Sequence, residues 1–368
     1  LASGAATNRF AIYSQAALLI RDYLFTGCGL GNFATVHSTY ALLIHVPILP
    51  HAHALWLNIP LEQGILGGLA ALAALGGAGW LGLHTLARRT EPDRMLGAGL
   101  LSLTTLLIHG VVDDPLYSSR GVALLWVPAG IVVASTLVAE PLQDRLKPET
   151  QNPAFGIITK QTSLLKGTPK NAWHWVGTAL VGLVLLLSFA FGENPLARWH
   201  ANLGAVAQTW AELQVYNIDS PGDPTLDQVR QRVDLSAAEA RFQKAISLKP
   251  DQVTAHTRLA HIALARGAYE RALAHARTAW DAGHRDRVTR LLLSDALVAA
   301  GQIEEAAELA RSLDRAEDRL RGQAWYRYWV NEDYRRAAYA WRTVLALDPT
   351  DGGSAYWLSE AERLAAKQ

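Results

Sequence analysis

Four long apolar stretches in the first half of the chain constrain its fold more than any other feature. They cover residues 64–86, 96–112, 121–139 and 173–191. A helix needs about 20 apolar residues to cross a bilayer. The first stretch has no charged residue and is rich in glycine and alanine, which favours close helix packing in lipid. The pattern predicts four transmembrane helices in a membrane domain that covers residues 64–191.

Basic residues are distributed unevenly around these stretches. The connections after the first and third stretches carry Arg88, Arg89, Arg94, Arg145, Lys147, Lys160, Lys166 and Lys170. The connection between the second and third carries only Arg120, and the twenty residues after the fourth carry only Arg198. Because basic connections stay on the cytoplasmic side, we expect residues 1–63 and 192–368 on the outer face, periplasmic or extracellular, with residues 1–63 as an outer loop.

Composition excludes two classes of partner or site. The net charge of +1 argues against a nucleic-acid partner, since nucleic-acid binding requires a basic surface. The single cysteine, Cys28, permits neither an internal disulfide nor a cysteine metal cluster. We expect no cofactor. We also expect no metal site, because two neighbouring histidines without a third ligand are weak evidence for one.

The C-terminal part repeats with a period of 34 residues. Ala238, Ala272 and Ala306 are separated by this interval, and Gly267 and Gly301 share it. Small residues let paired helices approach, while glycine and proline end helices between units. The pattern resembles tetratricopeptide repeats and predicts an α-solenoid of three to four repeats over residues 233–368, after a linker at 192–232. A final capping helix is expected at "SAYWLSEAERL".

Tetratricopeptide repeats bind proteins or peptides in a concave groove, which makes a protein or peptide the expected partner of this domain. An aromatic cluster lies near the last repeat: Trp325, Tyr326, Tyr328 and Trp329. These side chains either line such a groove or form the interface between repeats. Repeats carry no chemistry, so any reaction belongs to the first half of the chain.

Two histidines precede the first apolar stretch. His51 and His53 lie in "PHAHALWLNIPLEQGILG", residues 50–67. Residues two apart do not share a helix face, so at most one is expected to act in catalysis while the other packs against it or orients it. "GCGLGNF" lacks the spacing and the strand of a nucleotide loop and is interpreted as a flexible turn.

The first 140 residues resemble the O-antigen ligase and polymerase family of membrane glycosyltransferases. The ligase pattern is a histidine and a polar residue, then nine residues and a Gly-x-x-small motif, which corresponds to His53, Ala54, Gly64 and Gly67. "NRFAIYSQAALLIRDYLFTGCGLGNF" resembles the preceding segment of the family, with Arg9 at its arginine. "IHGVVDDPLY" resembles the later His-Gly-x-x-Asp motif, with His109 and Asp113.

The resemblance implies transfer of a glycan from undecaprenyl pyrophosphate, a lipid-linked oligosaccharide donor, to a hydroxyl of a lipid, glycan or protein. It places the chain in a bacterial cytoplasmic membrane and implies inversion without a metal. His53, with His51 beside it, is the expected base, because histidine accepts protons near neutral pH. Arg9 is the expected pyrophosphate clamp. His109, Asp113 and Gly64 are expected to support substrate binding.

Each of these residues has an alternative interpretation. The histidine pair would serve equally as polar anchors at a membrane interface, and Arg9 as an ordinary surface charge. His109 would bond a neighbouring backbone carbonyl. Asp113 and Asp114 would orient Arg9 or His53, or cap a turn before Pro115.

Two departures from the family define a competing hypothesis. Ala54 stands where the family commonly has asparagine, and family members have about a dozen spans where four are predicted here. We therefore expect the chain to be the C-terminal portion of such an enzyme. The alternative is a non-catalytic, membrane-anchored tetratricopeptide scaffold that recruits envelope proteins.

Overall fold

The structure, a computed structural model, describes residues 9–42, 49–113, 122–138, 194–215 and 225–368. Helices are the only regular secondary structure in these ranges, which confirms the all-α prediction. In chain order they are α1 (Arg9–Asp22), α2 (Phe33–His37), a π-helical turn (Ser38–Leu42), α3 (Leu55–Arg88), α4 (Arg94–Val112), a 3-10 turn (Val122–Trp126), α5 (Val127–Val138), α6 (Pro195–Leu213), α7 (Leu226–Arg232), α8 (Ser236–Leu248), α9 (Val253–Ala265), α10 (Tyr269–Asp281), α11 (Arg287–Ala300), α12 (Ile303–Ala310), α13 (Ala316–Trp329), α14 (Tyr334–Leu347) and α15 (Gly352–Ala365).

Two of the predicted membrane helices are long and apolar enough to cross a bilayer. They are α3 and α4, whose most apolar windows are only 22% and 28% buried. The core helix of a soluble protein would be mostly buried, so this exposure fits association with a membrane. The third prediction corresponds to a shorter apolar helix over Val122–Leu137. The fourth, at 173–191, lies outside the described residues.

The described residues form two compact units. The second unit contains the C-terminal part of α3, most of α4, and α5. Glycines let these helices approach closely: a Cβ atom on Gly82 would lie 2.6 Å from Val132 and 2.8 Å from Leu100. A Cβ atom on Gly99 would lie 2.9 Å from Ile131. Small residues at helix contacts are typical of helices packed in lipid.

The first unit combines the described residues among 1–69 and 110–118 with those among 196–368. The prediction of residues 1–63 as a loop is wrong where α1, α2 and the start of α3 lie. These residues and those predicted as repeats belong to one packed body. The range predicted as a linker contains helices α6 and α7. Gly204 of α6 packs so closely on Phe242 of α8 that a Cβ atom there would lie 2.6 Å from the ring.

The repeat pattern corresponds to consecutive helices that pack against one another. The alanines at the repeated positions, Ala238, Ala272, Ala306 and Ala337, are all buried at helix contacts. Gly267 and Gly301 both adopt positive φ angles, 71° and 79°, where α9 and α11 end. A left-handed residue satisfies the last carbonyls of a helix, and glycine adopts it without strain.

The aromatic cluster forms an interface between the last helices. Trp325 of α13 lies 5.6 Å from Trp341 of α14 and 4.5 Å from Trp357 of α15, measured between ring centroids. Tyr328 also packs against Trp341. Of the two interpretations of these aromatic residues, the contacts favour the interface between helices.

The N-terminal segment packs on helices α9 and α11 of the C-terminal part. Ile12, Leu19 and Tyr23 share a buried core with Leu259 of α9 and Val288 of α11. The face of α9 that meets this segment is therefore covered by the chain itself.

A buried ionic network joins these two parts. The Arg258 side chain is fully buried and donates to the Asp22 carboxylate at 3.1 Å and to the Tyr23 hydroxyl at 2.9 Å. Its guanidinium carbon lies 3.4 Å from the centroid of the Tyr40 ring. Tyr40 in turn donates to Glu212 at 2.7 Å. A buried charge requires such partners, because desolvation without compensation costs several kcal/mol.

Replacing Arg258 by methionine is expected to destabilise the first unit. The substitution keeps much of the side-chain volume but leaves Asp22 buried without its cation, which costs about 3–5 kcal/mol. Arg342→Met removes a pair with Glu362 in which both side chains are more than 40% exposed, and such pairs contribute about 1 kcal/mol or less. The measurement is the melting temperature of the detergent-solubilised chain. Equal shifts for both variants would contradict the buried network.

Buried histidines predict that stability falls at acidic pH. His37 is buried, its Nε2 lies 2.8 Å from Gln15 Oε1, and burial lowers the pKa of this histidine to about 4. The unfolded chain takes up the proton near pH 6.5. Stability from the neutral ring is therefore present above pH 6.5 and falls towards pH 4, with about 2 kcal/mol lost at pH 5.

The pH dependence is measured as melting temperature at pH 7.5 and pH 5. His37→Gln should reduce the difference between these two temperatures, because glutamine does not titrate. His200→Gln, at the surface of α6, should retain most of it. An undiminished difference in His37→Gln would show that His37 does not contribute to the loss of stability.

Candidate functional site

His53 and Asp113 form the centre of the candidate site. The Nδ1 atom of His53 lies 3.1 Å from Oδ1 of Asp113, and both side chains are partly exposed, at 27% and 31%. The two residues are 60 positions apart in the chain. Asp113 follows the last residue of α4, and His53 lies two residues before α3. Of the alternatives for Asp113, the structure shows the contact with His53, while Asp114 lies outside the described residues.

His51 contacts His53 directly. The ring centroids are 4.4 Å apart in an edge-to-face arrangement, and the His53 amide donates to His51 Nδ1 at 3.2 Å. The argument from helix faces does not apply to this pair, because both residues precede the first turn of α3. His51 therefore contacts both the ring and the backbone of His53.

The backbone around His53 is held in an unusual conformation. His53 has a φ angle of 53°, a left-handed value that costs free energy for a residue with a Cβ atom. Tyr13 of α1 donates its hydroxyl hydrogen to the His53 carbonyl oxygen at 3.0 Å. The side chain of Asn58 accepts the Ala52 amide hydrogen at 2.9 Å. These two contacts stabilise the loop on both sides of the histidine.

Arg9 lies at the same place in the first unit. Its Nη1 donates to the Val112 carbonyl oxygen at 2.7 Å, immediately before Asp113. Val112 ends α4, and a helix C-terminus favours a nearby cation. The four predicted residues Arg9, His51, His53 and Asp113 are thus linked by contacts within one unit.

His109 and Gly64 lie elsewhere. His109 is exposed and belongs to the second unit. Gly64 interrupts α3 with a φ angle of 72° and a ψ angle of −179°, a combination that only glycine adopts readily. A Cβ atom there would lie 2.4 Å from the Phe25 carbonyl oxygen. This close backbone approach is a structural reason for glycine at this position.

The loop after α1 is fixed against the interrupted helix. The Cys28 and Gly29 amides donate to the carbonyl oxygens of Leu61 and Glu62 at 2.8 and 3.0 Å, and the Ile65 amide donates to Leu24 at 2.7 Å. The interpretation of "GCGLGNF" as a flexible turn is therefore wrong for its first residues. Gly27 allows the two backbones to meet, because a Cβ atom there would lie 2.2 Å from the Glu62 carbonyl oxygen.

Tyr13 and Asn58 were not among the predicted site residues. Tyr13 lies four positions after Arg9, so both share one face of α1; that spacing was a usable signal. Asn58 is a fully buried polar residue in an apolar run, and its partner Ala52 lies only six positions away.

Comparisons with known proteins do not add an identification: no family model, no curated protein and no solved structure matches the chain. The relation to the O-antigen ligase family thus stays a prediction from the motifs.

The chemistry of the histidine and carboxylate pair determines what this arrangement can do. A carboxylate bound to one ring nitrogen of a histidine fixes the tautomer and directs the other nitrogen to accept a proton.

Gly64→Ala is expected to prevent normal folding of the first unit. The new Cβ atom would overlap the Phe25 carbonyl oxygen, and alanine disfavours the observed backbone angles. The matched control is Gly76→Ala on the same helix, where no atom lies within 4 Å and alanine should stabilise by about 0.5–1 kcal/mol. Folded yield and melting temperature check both. A Gly64→Ala protein that melts together with the native chain would refute the interrupted helix.

Proposed function

We propose that the chain transfers a glycan from undecaprenyl pyrophosphate to an acceptor hydroxyl at the outer face of a bacterial cytoplasmic membrane. The observation that carries the proposal is the 3.1 Å contact between His53 Nδ1 and Asp113 Oδ1, next to the end of α4 where Arg9 is bound. A base and a cation at one place are the two groups that this transfer requires.

The His53 ring supplies the base. With Asp113 as acceptor, the Nδ1 atom carries the ring hydrogen, and Nε2 presents its lone pair. Nε2 takes the proton of the acceptor hydroxyl as the hydroxyl oxygen bonds to the anomeric carbon of the donor sugar. The bond from that carbon to the pyrophosphate oxygen breaks, and undecaprenyl pyrophosphate leaves with the electron pair. Attack opposite the leaving group inverts the anomeric centre.

Arg9 supplies positive charge for the leaving group. A guanidinium has five N–H donors, and the bond to the Val112 carbonyl oxygen uses Nη1 and fixes the side chain. Further donors then meet the pyrophosphate oxygens, whose negative charge increases as the bond to the sugar breaks.

The surroundings suit a lipid-linked donor. His53 stands two residues before α3, a helix apolar enough to cross a bilayer. A polyprenyl chain is soluble only in the apolar phase, so its pyrophosphate meets the protein where such a helix begins. His51 and Tyr13 position the His53 ring and carbonyl.

The acceptor is a lipid, a glycan or a protein hydroxyl. A protein or peptide that binds the repeats would deliver a protein acceptor, but the face of α9 towards the N-terminal segment is already covered. A peptide would therefore use another face of these helices.

The deciding experiment is glycan transfer in membranes that contain the complete reading frame and lipid-linked donor. His53→Ala is expected to lower the rate by roughly 100-fold or more, the size of a general-base contribution. Asp113→Asn keeps the shape but removes the charge, and should lower it by roughly tenfold or more. His200→Ala, a histidine of α6 with no part in the site, should transfer at the native rate.

Protein level and melting temperature are measured for each variant, so that loss of folding is separated from loss of chemistry. If the native chain transfers to none of the three acceptor classes, the non-catalytic scaffold becomes the better proposal. Undiminished transfer in His53→Ala would remove His53 from the mechanism.

A further inference from the structure

The side chains of His51, His53 and Asp113 converge on one point. One potential ligand atom of each lies within 4.8 Å of those of the other two. Among the described residues, this is the only group of three histidine, cysteine or acidic side chains with such spacing. The expectation of no metal site rested on the lack of a third ligand, and Asp113 is that ligand. We propose that His51, His53 and Asp113 bind one first-row transition-metal ion of the Zn²⁺ type.

The chemistry of the three groups fits such an ion. Two imidazoles and one carboxylate are a common ligand set for zinc, and imidazole also suits cobalt, nickel and copper. Bonds of about 2.0–2.1 Å in tetrahedral geometry place ligand atoms roughly 3.3 Å apart. The 3.1 Å between His53 and Asp113 is close to this separation. The ligand atom of His51 lies within 4.8 Å of those of His53 and Asp113. Side-chain rotations that move these atoms by about 1.5 Å or less would bring all three to the tetrahedral separation.

The site is both supported and accessible. The His53 carbonyl is held by Tyr13 and the Ala52 amide by Asn58, so two ligands enter from a fixed loop. Contacts that orient the ligands raise metal affinity. The partial exposure of His53 and Asp113 lets an ion enter from water. Three protein ligands leave a fourth position for water or a substrate oxygen.

A bound ion would change the reaction of the proposed enzyme, and this consequence rests on the proposed function. An ion on His53 Nδ1 takes the place of the hydrogen shared with Asp113. The ring hydrogen then resides on Nε2, which can no longer accept a proton from the acceptor. Zn²⁺ is therefore expected to inhibit glycan transfer, whereas binding itself does not depend on any activity.

The test is a titration of the full chain with Co²⁺ in detergent. The chain is purified with an affinity tag that contains no histidine, and a chelator removes bound metal before the titration. The visible absorption of bound Co²⁺ reports its ligands, and added Zn²⁺ should displace it. We expect one Co²⁺ per chain, no binding in His51→Ala, and at least tenfold weaker binding in Asp113→Asn. Melting temperatures show that the variants are folded.

His275→Ala is the matched control, because it breaks a different pair of neighbouring histidines. The Nδ1 atoms of His275 and His256 lie 2.9 Å apart in the C-terminal helices. Binding should be unchanged in this variant. The proposal fails if Co²⁺ does not bind, if binding survives in both site variants, or if it is lost in His275→Ala. If Zn²⁺ proves necessary for transfer, the metal site stands and the role of His53 as base is overturned. If no transfer is seen, the titration still decides the metal site.

Discussion

The buried pair between Arg258 and Asp22 is the interaction on which the first unit depends. Asp22 is the last residue of α1, and Arg258 lies in the middle of α9. The first residue of α1 is Arg9, which binds the end of α4, and one turn later Tyr13 binds the carbonyl of His53. A helix of 14 residues is a rigid element about 20 Å long. The last residue of α1 is thus fixed to the helices of the C-terminal part, and its first two turns contact the candidate site.

This connection changes the role expected for the C-terminal helices. As a separate recruiting module they would leave their inner surface free for a peptide. Instead, α9 meets the N-terminal segment through apolar side chains and the buried pair of Asp22 and Arg258. Glu212 of α6 and Arg230 of α7 form a second buried pair, which Tyr40 joins. Loss of the buried pair would therefore disturb the site as well as the stability of the unit. The C-terminal helices therefore fix the position of α1 in the first unit.

At the site itself, one nitrogen atom decides between two chemistries. In the proposed transfer, a hydrogen on His53 Nδ1 is donated to Asp113 and Nε2 acts as the base; in the proposed metal site, an ion replaces that hydrogen and Nε2 no longer accepts a proton. The left-handed backbone of His53 costs conformational free energy whether the ring carries a hydrogen or a metal ion. The hydrogen bonds from Tyr13 to the His53 carbonyl and from the Ala52 amide to Asn58 offset this cost.

The sequence by itself determined the all-helical class, the burial of the repeated alanines and the neighbouring pair of histidines, because each depends on local residue patterns. It did not predict α1, α2, α6 or α7, which lie in ranges predicted as a loop or a linker. It also pointed to Arg9 and Asp113, but only through resemblance, and left open whether Asp113 would orient Arg9, orient His53 or cap a turn. Only the tertiary structure decided that contact, the interruption of α3 at Gly64 and the partner of Arg258, which lies 236 positions from Asp22. The physical reason is that helix formation and burial follow from local periodicity, whereas the partner of a polar group depends on which distant segments meet.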